Sequence, residues 1–322
     1  MNFQQIEQLI KPDMDETNAL IQRSLSSRVS LITEIGNHIV NSGGKRIRPL
    51  LVLLVSRALA CPLDDAIHLA ASIEFIHTST LLHDDVVDVS DLRRGKPTAN
   101  VIWGNSAAVL GGDFLYSRTF QLLVHIGNIE ALSVLAEIYN QIAEGEMLQL
   151  INCHNPDTTY EEYMCVIENK TAKLFEASTV IPAILANASV QERQAMTIYG
   201  NKLGLAFQMV DDMMDYVSTA AEMGKNAGDD LSEGKTTLPL IYAIQQASKA
   251  DADIIRDAIK HGKVDQLERI KQIIEDCGAL EYTRDCAKKE AEAARAAIQF
   301  LPETDYKKAL IALCDQATAR KN

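Results

Sequence analysis

Long stretches without helix breakers constrain the fold of this chain most. Only eight prolines occur among 322 residues, and several of them (Pro12, Pro49, Pro62, Pro97, Pro156) stand between apparent helical segments. No alternating apolar and polar run is bounded by the Asn-Gly or Asp-Gly pairs that are typical of β-hairpins. Hydrophobic residues make up 47% of the chain, which is enough for a large core. We therefore predict a nearly all-α protein.

Apolar periodicity predicts helices along the whole chain. After an opening helical region over about residues 3–40, helices are expected at about 49–60, 104–126, 129–151, 159–187, 191–218 and 236–248. Another helix ends near Asp88 and is apolar nearly all round, which marks a core helix, and Asp64 is placed to cap its start. Residues 90–100 are predicted to form a polar loop, and about the last 70 residues two or three peripheral helices. Because no linker or change in composition divides the chain, we predict one domain over residues 1–322.

Charge and composition exclude several classes of function. The formal net charge of −13 argues against nucleic-acid binding and against electrostatic docking on an anionic membrane. The first residues lack the pattern of a signal peptide, and no apolar run approaches the ~20 residues that a transmembrane helix needs. The six cysteines are scattered without a Cys-x-x-Cys pair, which predicts reduced thiols and a cytoplasmic location.

An acidic motif, Asp-Asp-x-x-Asp, occurs twice, at residues 84–88 and 211–215, each near the end of an apolar helical run. Helical residues four apart share a face, so Asp84 pairs with Asp88, and Asp211 with Asp215. Carboxylates are disfavoured at the C-terminal end of a helix, so bound cations are expected to compensate. One such motif alone is more often a solvated helix end, whereas two facing copies would hold several Mg²⁺ ions and, through them, a diphosphate.

Basic loops accompany the acidic motifs. Residues 43–49 read Gly-Gly-Lys-Arg-Ile-Arg-Pro, which places three cations beside glycines that let backbone amides approach a ligand, without the spacing of a Walker A loop. Residues 93–96 follow the first acidic motif, and the pairs Gly224-Lys225 and Gly234-Lys235 follow the second. Each could be an ordinary charged loop. Together they favour one ligand held by metal on one side and by Arg and Lys on the other.

Polar residues inside apolar helices are further candidates. His77 lies seven residues before Asp84 and therefore on the same helix face, although a buried core histidine is the common alternative. Lys170 and Thr171 interrupt an apolar helix, and Gln208 stands three residues before the second acidic motif. These side chains could point into a central cavity.

Taken together, these segments resemble the trans-isoprenyl diphosphate synthases over nearly the whole chain, with the closest likeness to the long-chain bacterial members. The segments that carry the resemblance are residues 43–49, 82–88, 93–95, 170–172, 207–215 and 224–235. The resemblance implies a large helical bundle around a central cavity, a homodimer, and head-to-tail prenyl transfer. One departure is Thr236, which stands where the related pattern often has proline.

The resemblance also implies roles for individual residues. Asp84, Asp88 and Asp211 would bind two or three Mg²⁺ ions that bridge the allylic diphosphate. Asp85, Asp212 and Asp215 would support or share that coordination. Isopentenyl diphosphate would be held by Lys45, Arg48, His77 and Arg94. The allylic diphosphate would be held by Arg93, Lys170, Thr171, Gln208, Lys225 and Lys235. Catalysis is assigned to the six aspartates together with Arg93, Lys170 and Lys225.

This chemistry fits the residue types. Breaking an allylic C–O bond places charge on the departing diphosphate, which Mg²⁺, Lys and Arg stabilise as it develops. A dry apolar cavity keeps water from the allylic cation. A class I terpene cyclase is the nearest alternative, but it would leave Lys45, Arg48 and His77 without a ligand. A non-catalytic subunit of a heteromeric synthase would be expected to lack one acidic motif.

Product length is predicted from the residues just before the first acidic motif. Ser79 and Thr80 stand five and four residues before Asp84, where an aromatic side chain would close the pocket to long prenyl tails. Since Ser79 is small, we predict a product beyond C20 and near C40, made from farnesyl diphosphate and, by resemblance, destined for quinone side chains. Candidates for a deeper floor of the pocket are Phe120, Leu122 and Leu123.

Overall fold

The computed structural model describes residues 1–217 and 228–319 and is built almost entirely of helices, which confirms the predicted all-α class. In chain order the elements of the first half are α1 (Phe3–Leu9), α2 (Lys11–Ser24), α3 (Ser30–Val40), α4 (Ile47–Ala58), α5 (Leu63–Val87), β1 (Leu92–Arg93), β2 (Lys96–Pro97), α6 (Ala99–Trp103), α7 (Asn105–Ile126) and α8 (Ile129–Asn152). The remaining elements are α9 (Tyr160–Ile167), a π-helical segment (Glu168–Ala172), α10 (Lys173–Leu185), α11 (Val190–Val217), α12 (Asp229–Ser232), α13 (Leu238–Gln246), α14 (Lys249–His261), α15 (Leu267–Asp276), α16 (Ala279–Ala297) and α17 (Asp305–Thr318).

The chain divides into two compact units, each made of three stretches of sequence. The first unit comprises Met1–Glu137, Leu174–Thr197 and Ala297–Leu313, and the second comprises Ile138–Lys173, Ile198–Ala296 and Cys314–Asn322. The prediction of a single domain stays a prediction. None of the helices in the described part of the chain has the length and apolar character that a membrane span needs.

Helix α5 is the central element of the first unit. Most residues in its middle turns are buried, and Phe75 and Leu82 pack in one core cluster with Ile35 of α3 and Leu115 of α7. The helix begins after Pro62, which is its N-cap, so the predicted cap at Asp64 is wrong. A proline can precede a helix because the first N–H groups have no intrahelical acceptor, and the acidic residues of the first turn complement the helix dipole.

The predicted polar loop at residues 90–100 contains a short β-hairpin. Strands β1 and β2 pair antiparallel and are joined by Arg94 and Gly95, whose φ angles of +53° and +75° are typical of a type I′ turn. The hydroxyl of Thr98 donates to the carbonyl of Ser90 at 2.7 Å and closes the loop. The hairpin was not predicted, because each strand is only two residues long and the turn lacks the Asn or Asp that usually marks such turns.

The second unit differs from the predicted pattern in two places. The helix expected over 159–187 is divided into α9, the π-helical segment and α10. Helix α9 starts with a capping box, in which Thr159 and Glu162 exchange side-chain-to-backbone hydrogen bonds. Four helices, α14 to α17, occupy the C-terminal part where two or three were predicted.

Candidate functional site

The first acidic motif lies at the C-terminal end of α5. Asp84 and the C-cap residue Asp88 are half-buried, and the Asp88 amide donates to the Asp84 carbonyl at 2.8 Å. Asp85 is fully buried, and its carboxylate accepts a hydrogen bond from Arg93 Nε at 2.7 Å. Burial raises the pKa of Asp85, and the nearby Arg93 opposes that shift. Asp84 and Asp88 therefore keep access to solvent, while Asp85 is held inside by an arginine.

The second acidic motif lies in α11 and is exposed differently. Asp211 is exposed, whereas Asp212 and Asp215 are buried, and Asp215 accepts a hydrogen bond from the backbone N–H of Asp230 at 3.3 Å. The two copies also differ in local structure, because Asp88 is the C-cap of α5 whereas Asp215 lies within α11. In the second copy only the first aspartate keeps full access to solvent.

Asp212 is fixed by donors on both carboxylate oxygens. The hydroxyl of Tyr163 donates to Oδ2 at 2.6 Å, and the amide of Gln208 donates to Oδ1 at 2.7 Å. Gln208 is oriented in turn by the hydroxyl of Thr171, which donates to its carbonyl oxygen at 2.8 Å. Burial, followed by the neighbouring Asp230, raises the pKa of Asp212 to about 7. This chain of hydrogen bonds joins two predicted substrate-binding residues to the acidic motif.

A cavity of about 120 Å³ opens beside Asp212 within the second unit. Five of the predicted site residues line it: Lys170, Thr171, Gln208, Asp212 and Lys235. Val166 and Ile167 supply an apolar wall. The structure thus brings together polar residues that are up to 65 positions apart in the sequence. The predicted residue Lys225 lies outside the described residues.

The π-helical segment presents Lys170 to this cavity. A Cβ on Gly145 of α8 would lie 2.6 Å from the backbone nitrogen of Lys170, so only glycine fits beside the segment. The Lys170 ammonium lies 2.6 Å from the Glu146 carboxylate, and Lys235 forms an ion pair with Glu233. Both cavity lysines therefore have carboxylate partners in the second unit.

In the first unit, the glycine loop and the hairpin are joined by Arg94. Its guanidinium donates to the carbonyl of Gly43 and lies over Gly44, where a Cβ would come within 2.6 Å of Nη1. Gly44 also has a φ of +125°, which side-chain-bearing residues rarely adopt. Lys45, next in the loop, is exposed, and its ammonium is 5.9 Å from the centre of the Phe3 ring.

Arg48 and His77 form the inner part of the same basic region. Arg48 Nη1 lies 3.4 Å from His77 Nε2, and the guanidinium carbon lies 4.7 Å from the centre of the Phe175 ring. Burial and the nearby arginines hold the pKa of His77 well below its usual range. His77 is therefore neutral at pH 7, and its Nε2 accepts the hydrogen bond from Arg48. Arg46 instead turns inward, 3.1 Å from Glu74.

Of the two residues predicted to set product length, Ser79 contacts the neighbouring helix α7, and Thr80 forms a hydrogen bond within α5. Ser79 is fully buried, and its hydroxyl donates to the carbonyl of Gly112 in α7 at 2.8 Å. The Thr80 hydroxyl donates to the His77 carbonyl at 2.9 Å. Among the candidates for the floor of the pocket, Leu122 and Leu123 are buried and Phe120 is 38% exposed.

Three features of the second unit were not predicted as parts of a site. Tyr163 was missed, although it stands seven residues before Lys170, the same spacing as His77 and Asp84. Glu146 was not among the predicted site residues, and it is the ion-pair partner of Lys170. The hydroxyl of Thr236 donates to the carbonyl of Asn155 at 2.9 Å. That contact tethers the loop at the position where related sequences often have proline.

Comparison with known proteins decides the family. The polyprenyl synthetase family model matches residues 29–277. The chain belongs to the polyprenyl synthetase family. It is 48% identical to octaprenyl diphosphate synthase of Escherichia coli (strain K12) over 99% of both chains. It is 45% identical to the all-trans-nonaprenyl-diphosphate synthase (geranyl-diphosphate specific) of Rhodobacter capsulatus, over 97% of this chain and 96% of that one.

A solved structure extends the comparison to the whole fold. The polyprenyl synthase of Caulobacter crescentus CB15, complexed with calcium and isoprenyl diphosphate, has a TM-score of 0.96 and 41% identity, and the match covers 100% of this chain and 98% of that one. These relatives confirm the predicted enzyme class: this polyprenyl synthetase is a prenyltransferase of the polyprenyl diphosphate synthase type. They do not favour a terpene cyclase or a non-catalytic subunit.

Proposed function

We propose that this polyprenyl synthetase is a Mg²⁺-dependent enzyme that adds isopentenyl diphosphate head to tail onto farnesyl diphosphate, to give an all-trans product near C40. The observation that carries the proposal is the division of each acidic motif into carboxylates open to solvent and carboxylates held inside by hydrogen-bond donors. Asp84, Asp88 and Asp211 are open. Asp85, Asp212 and Asp215 are buried.

The open carboxylates suit Mg²⁺. Asp84, Asp88 and Asp211 offer only oxygen ligands, which hard cations prefer, and we assign two or three ions to them. Bound Mg²⁺ would stabilise the charge that develops on the departing allylic diphosphate. The calcium in the Caulobacter relative supports a divalent ion in this family. The buried aspartates would keep the backbone and side chains around the open ones in place.

The allylic diphosphate is assigned to the polar cavity of the second unit, and Arg93 of the first unit is assigned to the same ligand by resemblance alone. Lys170 and Lys235 line the cavity and would exchange their carboxylate partners for phosphate oxygens. Thr171 and Gln208 line the same cavity and are arranged by hydrogen bonds before any ligand enters. Lys225 is assigned to this group by resemblance alone.

The basic region of the first unit is assigned to isopentenyl diphosphate. Lys45, Arg48 and Arg94 supply positive charge there, and neutral His77 orients Arg48. Charge-assisted hydrogen bonds from arginine to phosphate are strong and directional. Separate basic groups for the two diphosphates would let one enzyme hold a donor and an acceptor together, as prenyl transfer requires.

Product length near C40 rests on the small side chain of Ser79. The products of the octaprenyl and nonaprenyl synthases named above differ by one isoprene unit. The two enzymes are nevertheless almost equally similar to this chain, at 48% and 45% identity. Overall identity therefore does not choose between neighbouring lengths. Use of the product for quinone side chains and a cytoplasmic location belong to the same proposal, as does a single domain over residues 1–322.

We also infer a homodimer that forms through α7. Leu110, Phe120 and Val124 of this helix are 65%, 38% and 71% exposed. These residues are spaced at 10 and 4 positions, so they lie near one face of the helix. An exposed apolar face of this kind is typical of a protein–protein contact, and a second copy of the chain would cover it.

Product analysis with the purified chain tests the proposal. Incubation with farnesyl diphosphate, labelled isopentenyl diphosphate and Mg²⁺ should give a C40 product after hydrolysis, and chelation of the metal should abolish it. Asp84→Asn should lower turnover by about 10²–10³-fold, because it removes charge that holds the metal. Asp265→Asn, at an exposed position between α14 and α15, should leave turnover unchanged.

Three outcomes would contradict the proposal. Turnover of an allylic diphosphate alone, without isopentenyl diphosphate, would indicate a cyclase. An inactive purified chain that becomes active with a second protein would indicate a non-catalytic subunit. Equal turnover of the Asp84→Asn and Asp265→Asn variants would show that Asp84 is not a metal ligand.

A further inference from the structure

A cluster of metal-ligating side chains lies in the first unit at the opposite end of α5 from Asp84. Asp64, His68 and His125 each bring one ligand atom to within 4.8 Å of the others. Asp64 and His68 are four residues apart near the start of α5, and His125 is in the last turn of α7. With a rise of about 1.5 Å per residue, Asp64 and Asp84 are separated by about 30 Å along the helix.

One ring nitrogen of His68 is suited to bind an ion, and the other, Nδ1, lies 3.6 Å from Asp64 Oδ2. His68 Nδ1 lies 2.8 Å from the carbonyl oxygen of Asp64. A carbonyl oxygen only accepts hydrogen bonds, so Nδ1 carries the proton in the neutral ring and Nε2 keeps its lone pair. Metal-binding histidines commonly donate their second nitrogen to a carbonyl in this way, which fixes the ring orientation.

The second imidazole shares the same carboxylate. His125 Nε2 lies 3.0 Å from Asp64 Oδ2, and the two imidazole rings are stacked with centroids 4.0 Å apart and planes inclined by 17°. Because ring-nitrogen lone pairs lie in the ring plane, one ring must turn about its Cβ–Cγ bond before both can bind the same ion. The Asp64 and His125 side chains are 72% and 56% exposed, so an ion from solvent can reach them, while His68 is 14% exposed.

We propose that Asp64, His68 and His125 form a binding site for a transition-metal dication such as Zn²⁺, separate from the Mg²⁺ ions of the prenyl-transfer site. Two imidazole nitrogens and one carboxylate oxygen suit Zn²⁺, Ni²⁺ or Cu²⁺, whereas Mg²⁺ prefers oxygen ligands alone. Two residues four apart on one helix form a natural chelate, and His125 of a second helix completes three protein ligands. Water would complete the coordination.

Metal would take the place of a proton. The 3.0 Å between His125 Nε2 and Asp64 Oδ2 is close to the roughly 3.3 Å between two ligands of a tetrahedral Zn²⁺. On binding, the proton that His125 Nε2 now shares with Asp64 would move to Nδ1 of the same ring, so that the neutral imidazole keeps its one N–H. Because the three ligands come together only in the folded chain, the ion would also tie the start of α5 to the end of α7 and stabilise the native state.

Calorimetric titration with Zn²⁺ tests the site. The metal-free full chain is titrated in excess Mg²⁺, which would occupy the proposed sites on the acidic motifs. We expect about one Zn²⁺ bound per chain, and affinity at least 10-fold weaker in His125→Ala and in Asp64→Asn. His261→Ala is the matched control, because His261 forms a two-residue pair with Asp257 at 3.4 Å on the exposed surface of α14.

Spectroscopy identifies the ligands directly. With one equivalent of Cu²⁺ as the probe, electron paramagnetic resonance should show coupling to two imidazole nitrogens in the wild type and to one in His125→Ala. Zn²⁺ should raise the unfolding temperature of the wild type and of His261→Ala but not that of His125→Ala. Equal Zn²⁺ affinity in wild type and His125→Ala, or a Cu²⁺ spectrum with oxygen ligands alone, would overturn the proposal.

Discussion

At the scale of single residues, neighbouring donors decide which carboxylates of an acidic motif are open to a metal. Spacing in the sequence predicts that Asp84 and Asp88 share a helix face, and the structure leaves both half-buried. Spacing alone could not predict the burial of Asp215, which accepts a hydrogen bond from the backbone N–H of Asp230, 15 residues away. The hydrogen-bond partner of Asp212 could not be predicted either, because Tyr163 is 49 residues away in the sequence and contacts Asp212 only through tertiary packing.

Removing the Tyr163 hydroxyl tests whether it positions Asp212. The hydroxyl stabilises the ionised carboxylate, so Tyr163→Phe should raise the pKa of Asp212 above its value of about 7. A larger fraction of Asp212 is then protonated at neutral pH, and the acid limb of the kcat–pH profile should move to higher pH. We expect kcat at pH 7 to fall about 10-fold and stability to fall by about 1–3 kcal/mol.

Tyr282→Phe is the control for this prediction, because Tyr282 stacks on Tyr242 and the substitution keeps the ring. It should leave the pH profile of kcat in place. A Tyr163→Phe enzyme that loses stability but keeps the wild-type pH profile would show that Tyr163 is structural only.

At the scale of secondary-structure elements, long periodic segments were predictable and interruptions were not. The helices expected at 104–126 and 129–151 match α7 and α8 to within one residue at each end. The π-helical segment could not be predicted, because the close contact beside it, between Gly145 and the backbone of Lys170, is made only by tertiary packing. What permits the segment is a glycine on another helix.

Gly145→Ala tests the role of that close contact. The added methyl would lie 2.6 Å from the Lys170 backbone nitrogen, so α8 or the π-helical segment must shift. We expect a loss of stability of about 1–3 kcal/mol and a several-fold higher KM for the allylic diphosphate, with the KM for isopentenyl diphosphate unchanged.

Ala143→Gly serves as the reference for helix stability. Ala143 is exposed on α8, and glycine there should cost about 1 kcal/mol through helix propensity alone. If this variant raises the allylic KM as much as Gly145→Ala does, the effect comes from α8 stability and not from the position of Lys170.

At the scale of the whole molecule, composition and motifs predicted the all-α class and the enzyme family, which the comparisons confirm. They did not indicate the two compact units. Each unit is assembled from three separated stretches of chain, so no linker or change of composition marks a boundary. Ion pairs between residues that are distant in sequence, such as Lys170 and Glu146, could not be predicted from local sequence patterns either.

The homodimer is a prediction at this scale. Leu110→Arg combined with Val124→Arg places two charges on the exposed apolar face of α7 and should weaken dimerisation by at least about 30-fold, since central interface residues contribute about 2 kcal/mol or more. Light scattering coupled to size-exclusion chromatography should show a dimer for the wild type and a monomer for the double variant.

Val264→Arg is the control for this prediction, because it places a charge at an exposed apolar residue outside α7. Val264 lies between α14 and α15 and is 45% exposed. This variant should remain dimeric. A double α7 variant that stays dimeric, or a wild type that is monomeric at micromolar concentration, would exclude α7 as the interface.

The ion pairs made by Arg93, Lys170 and Lys235 have a consequence for how anions enter. Each of these cations already has a carboxylate counter-ion, Asp85, Glu146 or Glu233. An arriving polyanion must therefore exchange one negative partner for another instead of meeting bare positive charge. Added salt screens both partners alike, so ionic strength should affect affinity less than three isolated cations would suggest. Ligands that carry their own divalent ion, and so neutralise the displaced carboxylates, gain the most from such an exchange.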